Sequence, residues 1–398
     1  MFDVSLLPDF LKPILHSINH YLAGLIVAVI GAIVLAFWKF FHKRIKRYFN
    51  YRTRVNVALR AVSQKPDENG VLREGDGLWI APPIEHPDYY QTSIQAAKIL
   101  SIVNLKGGVG KTTITSNLGA CLAHHLNKEK RGREQKPILL VDLDFQGTLS
   151  GMAKPDINIW PPTGIDSHAT RLISNQLKPE HLLDLHYVAD DRDLLEIIPS
   201  YYELAQAENR LMIEWLLKDH EDDIRYSLAN ILHKPEIRNR YSLIILDCPP
   251  RLTTATIQAL CASSHLLIPT VMDGASFTAV NSFARQVEKY RQKNICPYIQ
   301  HIGVVGSIVN PTGNYVEGLT VLQDMLNESW ENGGVDGAVQ VLNQDTFIPR
   351  YKQIADNYGK GIVYPVKEEG GEQQIKAAQK INKAIEQLAS IVKQKMGL

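Results

Sequence analysis

Lys106-Gly107-Gly108-Val109-Gly110-Lys111-Thr112-Thr113 is the stretch on which the rest of the chain is organised. An apolar run, Ile99 to Val103, precedes it, and a helix-like run, Ile114 to Leu126, follows it. Strand, glycine loop and helix together form a phosphate cradle. The glycines let successive backbone N–H groups turn inward and approach an anion closely. A helix starting near Lys111 adds the positive end of its dipole. Lys111 reaches terminal phosphates from this position, and Thr112 offers a hydroxyl to Mg²⁺. Gly107, Gly108, Val109, Gly110 and Thr113 complete the loop and its exit.

Further along, Pro137-Ile-Leu-Leu-Val-Asp142 reads as a buried strand with a carboxylate at its carboxyl end, continuing as Leu143-Asp144-Phe145-Gln146-Gly147. Ligands of open α/β sheets bind at the carboxyl ends of strands. Two acids there, beside a phosphate loop, suit the handling of Mg²⁺ and water. Ser242-Leu-Ile-Ile-Leu-Asp247-Cys-Pro-Pro250 repeats the pattern, an apolar run closed by an acid and stopped by two prolines. Strand and helix patterns alternate from residue 97 to the end of the chain. The expected fold is α/β, a mostly parallel sheet with helices on both faces.

The glycine loop departs from the standard P-loop. The position five before Gly110 is Leu105 where a glycine is usual, and a second lysine, Lys106, opens the loop. This resembles the deviant Walker A loop of the ParA/MinD family of P-loop ATPases. In that family the early lysine reaches across a homodimer that sandwiches ATP. Asp142 to Gly147 resembles the family's Asp-Pro-Gln-Gly switch I motif, with Phe145 in place of the proline. The resemblance places Asp142 near the Mg²⁺ shell and gives Asp144 the orientation of the attacking water. It makes Asp247 a Walker B carboxylate near Mg²⁺, with a switch II loop at Arg251 to Thr256. It implies an ATPase in which Lys106, Lys111 and Asp144 are catalytic. It also makes Asn310, after a late strand at Ile302 to Val309, and Pro349, in Phe347-Ile348-Pro349-Arg350, candidates for holding adenine. The segment after Glu196-Ile-Ile-Pro-Ser200, running as a helix to Leu217, serves either as scaffolding or as part of the dimer face. The stretch Thr346 to Ile362 also resembles a late segment of the family, and the resemblance covers about residues 97–390.

The chain has 398 residues, a net charge of +1 and four cysteines, none in a C-x-x-C pair. Scattered apolar cysteines point to buried thiols in a reducing compartment and exclude an iron–sulfur site. From Leu22 to Trp38 no charge interrupts seventeen residues, which predicts a transmembrane helix over residues 22–41. Seven basic residues and no acid follow between Lys39 and Arg54. By the positive-inside rule that flank is cytoplasmic and the N-terminus faces out. Setting those seven charges aside takes the +1 of the whole chain to −6 for the rest, which does not favour binding to DNA. Gly24, Ala28, Ala32 and Ala36 form a small-residue stripe on this helix, equally a dimer seam or the ordinary composition of a membrane span.

The expected organisation is a short outer N-terminus (1–21), a transmembrane helix (22–41), a basic juxtamembrane helix and linker (42–96) with the helix continuing over residues 55–64, and a ParA-like ATPase body (97–398). Trp79 and Ile80 in the linker are expected to dock on that body. Ile375, Ala378, Ile381, Ile385, Leu388 and Val392 fall on one helical face, which is expected to pack on the body rather than on a membrane. The resulting expectation is an ATP-dependent dimerisation switch at the inner membrane face, acting on a protein partner or activator. Two other readings compete. One is a membrane-tethered tyrosine-kinase-like P-loop protein, disfavoured because no tyrosine follows Tyr364. The other is a scaffold that binds nucleotide without hydrolysing it.

Overall fold

The computed structural model describes residues 21–42, 44–45, 78–80, 98–129, 136–153, 168–174, 187–189, 194–217, 223–310, 315–331, 339–350 and 361–398, with the single positions 8, 13 and 83. Most of the basic flank, the expected helix over 55–64 and most of the linker lie outside the described residues. So do residues 351–360 of the late Thr346–Ile362 segment. The chain divides into two units, one of residues 1–60 with 216–219, the other of residues 61–215 with 220–398.

The smaller unit contains helix α1 (Tyr21–His42), with a mean hydropathy of 2.5 over its most apolar 18 residues and no part of that window buried. At 1.5 Å per residue it is about 33 Å long, enough to cross a hydrocarbon core of ~30 Å. By length and composition alone it is a candidate span. Its ends fall one residue outside the expected 22–41.

The larger unit is built on one eight-stranded sheet. Its strands are β1 (Ile99–Ile102), β2 (Ile138–Asp142), β3 (Tyr187–Val188), β4 (Leu195–Ile198), β5 (Leu243–Asp247), β6 (His265–Thr270), β7 (Gln300–Val309) and β8 (Ile348–Pro349). They lie in the order β3-β4-β2-β5-β1-β6-β7-β8. Every pairing is parallel except that of β3 with β4. The central strands are buried along their whole length, which is why they read as unbroken apolar runs rather than alternating ones. The chain leaves β1 toward β2 on one side and β6 toward β7 on the other. Neighbours with opposite onward directions leave a crevice at their carboxyl ends.

The described helices after α1 are α2 (Lys111–Glu129), α3 (Thr148–Ala153), α4 (His168–Ile173), α5 (Glu203–Leu217), α6 (Ser227–Leu232), α7 (Pro235–Arg240), α8 (Thr254–Ala262), α9 (Gly274–Gln292), α10 (Val316–Glu331) and α11 (Glu372–Met396). Helix α2 lies close on the sheet. A Cβ at Gly119 would come within 2.8 Å of Leu140 Cδ2, so only glycine permits that approach. Helix α11 packs on α2 and buries Ala378, Ile381, Ile385, Leu388 and Val392, with Ile375 half-buried. The expected face of the last helix is thus occupied by the body. On another flank every residue of α8 is buried, with β1 and α6 against it. The four cysteines are free and buried.

Leu388 is 1% exposed in the core shared by α2 and α11. Leu388→Ala is expected to cost about 2–5 kcal/mol of stability, read as a lowered denaturation midpoint.

Candidate nucleotide site

The loop between β1 and α2 turns on two glycines with left-handed backbone, Gly108 at φ 71° and Gly110 at φ 77°. Gly110 has a second constraint. A Cβ there would sit 2.2 Å from Ser307 Oγ at the end of β7. Gly107 faces Pro250, since its Cβ would lie 3.9 Å from the proline Cβ. The cradle is therefore wedged between the carboxyl ends of β5 and β7. Val109 is buried beneath it, and the carbonyl of Thr113 accepts from Asn117 Nδ2 at 2.7 Å.

Lys111 is 7% exposed, and its ammonium donates to the Lys106 carbonyl at 3.1 Å. Burial holds this ammonium below the usual lysine range, while Asp247, Cys248 and Asp144 pull it back up. Thr112 Oγ1 donates to Asp247 Oδ2 at 2.7 Å, and Thr115 Oγ1 donates to Asp247 Oδ1 at 3.1 Å. Thr115 lies one helical turn beyond Lys111, and its role shows only once the helix is folded.

Asp142 and Asp247 are register partners at the ends of β2 and β5. Both carboxyls are raised above the usual carboxylate range. For Asp142 the causes are burial and then the charge of Asp247, opposed by Ser150 and the Asp144 N–H. For Asp247 the cause is burial, opposed chiefly by the Thr112 hydroxyl and the Lys111 charge. Asp142 Oδ2 accepts from both the N–H (2.9 Å) and the hydroxyl (2.7 Å) of Ser150, and its Oδ1 accepts from the Asp144 N–H at 3.1 Å. Asp142 thus already holds the turn that carries Asp144. The Ser150 hydroxyl in turn accepts from the Ser200 N–H at 2.9 Å, tying the end of β4 to the same turn. Asp144 is half-buried, and its Oδ1 accepts from the Gln146 N–H at 3.1 Å. Phe145, in the expected proline's place, meets the ring of Tyr202 edge-on at 6.0 Å, and the Arg251 guanidinium lies 5.6 Å over it.

Lys106 sits over the crevice between β1 and β6. Its ammonium is 2.6 Å from Ser276 Oγ and 3.4 Å from Asp273, the residue that caps α9. Its own N–H donates to Asn104 Oδ1 at 2.9 Å, and Asn104 Nδ2 donates to the Pro269 carbonyl at 2.7 Å. The side chain is 37% exposed. Asn310 is exposed at the end of β7, and its N–H donates to Tyr315 Oη at 2.6 Å. Pro349 is buried in β8, in register with Val309. The two lie on neighbouring strand ends, with Ser307 between them and the loop.

Thr112, Asp247 and Asp142 are hard oxygen donors that suit a small divalent cation. Among the described residues no group of three or more His, Cys, Asp or Glu side chains could hold a metal ion. A cation here would need further ligands from phosphate and water, the usual habit of Mg²⁺. An anion-binding loop, a buried lysine and paired strand-end carboxylates on a parallel sheet define a P-loop nucleotide-binding protein.

Comparison with known proteins makes this specific. Residues 97–300 match the AAA domain family model AAA_31, and the chain belongs to this family of ParA-like P-loop ATPases. It is 29% identical over 302 residues to the sporulation initiation inhibitor protein Soj of Bacillus subtilis, covering 71% of this chain and 98% of Soj. It is 27% identical over 281 residues to the chromosome partitioning protein ParA of Myxococcus xanthus, covering 69% and 84%. An uncharacterised protein of Mycobacterium tuberculosis is 31% identical over 222 residues, and there the match spans only 61% of the relative's length. Among solved structures, apo McdA of Cyanothece superposes with a TM-score of 0.56 at 17% identity, covering 74% of this chain and 99% of McdA. That likeness bears on the fold alone.

Gly110→Ala is expected to weaken ATP binding at least about tenfold, roughly 1.4 kcal/mol, in a calorimetric titration. Adding Ser307→Ala removes the clash but not the positive φ, so the double variant stays impaired.

Proposed function

We propose that this chain is a membrane-anchored ATPase in which ATP joins two subunits and hydrolysis separates them. The observation that carries the reading is the convergence of Lys111, Thr112, Asp247 and Asp144 at one edge of the sheet, with Lys106 at its exposed rim. The loop amides and Lys111 hold the phosphates, while Thr112 and Asp247 hold Mg²⁺, with Asp142 beside them. Bound Mg²⁺ supplies charge neutralisation on the phosphate oxygens. Asp144 orients a water for in-line attack on the terminal phosphorus, and Lys111 steadies the charge on the transferring group. Asn310 and Pro349 line the side on which adenine sits.

Lys106 acts on the nucleotide of the partner subunit. Its resting ion pair with Asp273 is exposed, although the Ser276 hydroxyl it also meets is buried, and an exposed ion pair supports a lysine able to leave it. Soj and ParA carry names that denote sporulation control and chromosome partitioning. Here α1 fixes the chain in the inner membrane with the N-terminus outside and the body in the cytoplasm. A positioning or signalling role toward a protein partner at that surface follows. The net charge of −6 outside the basic flank disfavours a general hold on DNA.

Lys106→Ala is expected to leave ATP affinity within about threefold, less than 1 kcal/mol, while hydrolysis falls to background. Asp144→Ala should accumulate an ATP-bound dimer by light scattering in detergent. Hydrolysis that survives Lys106→Ala would sink the trans-acting lysine, and a monomeric Asp144→Ala chain under saturating ATP would sink the switch. Removing residues 1–41 is expected to move the chain from the membrane to the soluble fraction. A truncated chain that still pellets with membranes would show that α1 is not the anchor.

A further inference from the structure

Helix α5 touches both loops beside the nucleotide site and also touches the linker. Tyr202, just before α5, meets Phe145 edge-on next to Asp144. One turn into α5, Glu208 Oε1 accepts from the Ala255 N–H at 2.9 Å, and its backbone carbonyl accepts from Thr254 Oγ1 at 3.2 Å. Ala255 is the second residue of α8, one of the first-turn amides that no helical carbonyl can satisfy. Glu208 therefore caps α8 from outside. Helix α8 begins directly after the Arg251–Thr253 loop that follows Asp247, so holding its first turn holds that loop.

Seven residues after Glu208, two turns or about 10 Å along the same face, stands Trp215. Its ring stacks on Trp79 of the linker at 5.5 Å with the planes 9° apart. Arg225 closes the pocket, its guanidinium 5.3 Å over Trp215, with Nη1 donating to the Trp79 carbonyl at 2.8 Å. Nε of Arg225 donates to Asp223 at 2.9 Å, and Nη2 donates to the same carboxylate. Arg225 is 0% exposed and Trp79 is 5% exposed. A guanidinium buried this fully depends on complete pairing, and the linker backbone supplies part of it. The turn that carries Arg225 also packs on α8, so the pocket meets α8 from a second side.

We infer that α5 couples the linker to the nucleotide site: Trp79, docked on Trp215 and Arg225, fixes α5, and Glu208 is the positioning residue through which α5 holds the loop after β5. Trp79 lies on the segment that joins the membrane-span candidate to the body. Movement of that segment is thereby passed to the residues beside Asp247. The consequence for hydrolysis rests on the proposed ATPase reading, but the coupling itself does not.

The test is amide hydrogen exchange on the full chain in detergent, with ATP turnover measured in parallel. Glu208→Ala is expected to speed exchange at residues 254–256 about tenfold or more. Trp79→Ala should speed exchange at 223–226 and also, severalfold, at 254–256. Trp79→Phe, which keeps an aromatic ring on Trp215, should restore most of the protection. Coupling is reciprocal, so Glu208→Ala should also loosen residues 78–80. That arm decides the matter if Trp79→Ala does not fold. Under the ATPase reading, Trp79→Ala changes kcat more than the affinity for nucleotide. Exchange that changes only around 78–80 and 223–226 in the Trp79 variants, or only around 254–256 in Glu208→Ala, overturns the coupling. Coupled exchange in a chain that never hydrolyses ATP keeps the coupling and overturns the ATPase reading instead.

Discussion

Two carboxyl groups that face each other in the middle of the sheet set the terms for the whole site. Asp142 and Asp247 end adjacent parallel strands, in register and shut away from water. Neither burial nor the neighbouring like charge favours ionisation. Each is therefore surrounded by donors, and those donors define the local architecture. Asp142 engages Ser150 and the Asp144 amide, which sets the turn carrying Asp144. Asp247 engages Thr112 and Thr115, which orients the first turn of α2. The buried ammonium of Lys111 belongs to the same balance, since Asp247 and, less strongly, Asp144 offset the desolvation it suffers. The geometry of the glycine loop and that of the turn carrying Asp144 are thus two consequences of one electrostatic constraint.

The two lysines of the loop answer this constraint differently. Lys111 is enclosed and points back onto the loop's own backbone. Lys106 stands at the rim of the crevice between β1 and β6, on a buried Ser276 hydroxyl and on an ion pair with Asp273 that solvent can screen. Residues five apart in sequence thereby have unlike environments, one enclosed beside buried carboxylates and the other at a solvent-exposed rim.

What could be read from the sequence follows from how locally each feature is encoded. The central strands were legible because burial on both faces makes them continuous apolar runs, and the acids at 142 and 247 mark their carboxyl ends. Helix α11 was legible through its period, and the docking of Trp79 and Ile80 through two large apolar residues in a polar linker. Strand β3 was not legible, being two residues long and antiparallel at an edge. The partners of the site were missed for a different reason. Ser150 and Thr115 act on carboxylates in other elements, and Arg225 meets a carbonyl 146 positions away. Ser276 and Asp273 reach Lys106 only because β6 lies beside β1. None of these pairings leaves a period or a spacing in the chain. The Phe145 departure from the expected motif was visible, but its aromatic contact with Tyr202 was not.

The packing of α11 along α2 has a mechanical side. The helix that starts at Lys111 is gripped by the sheet at Gly119, by α11 along its length, and by Asn117, whose side chain also takes the Tyr364 N–H at 2.8 Å. Interiors packed this densely transmit strain with little deformation. The phosphate loop is thus mounted on the stiff side of the molecule. Beside it, the loops that carry Asp144 and Arg251 meet at the surface through ring contacts among Phe145, Tyr202 and Arg251 that are open to solvent. A loop mounted this rigidly presents the same row of backbone amides to whatever it meets, whatever the surface around it does.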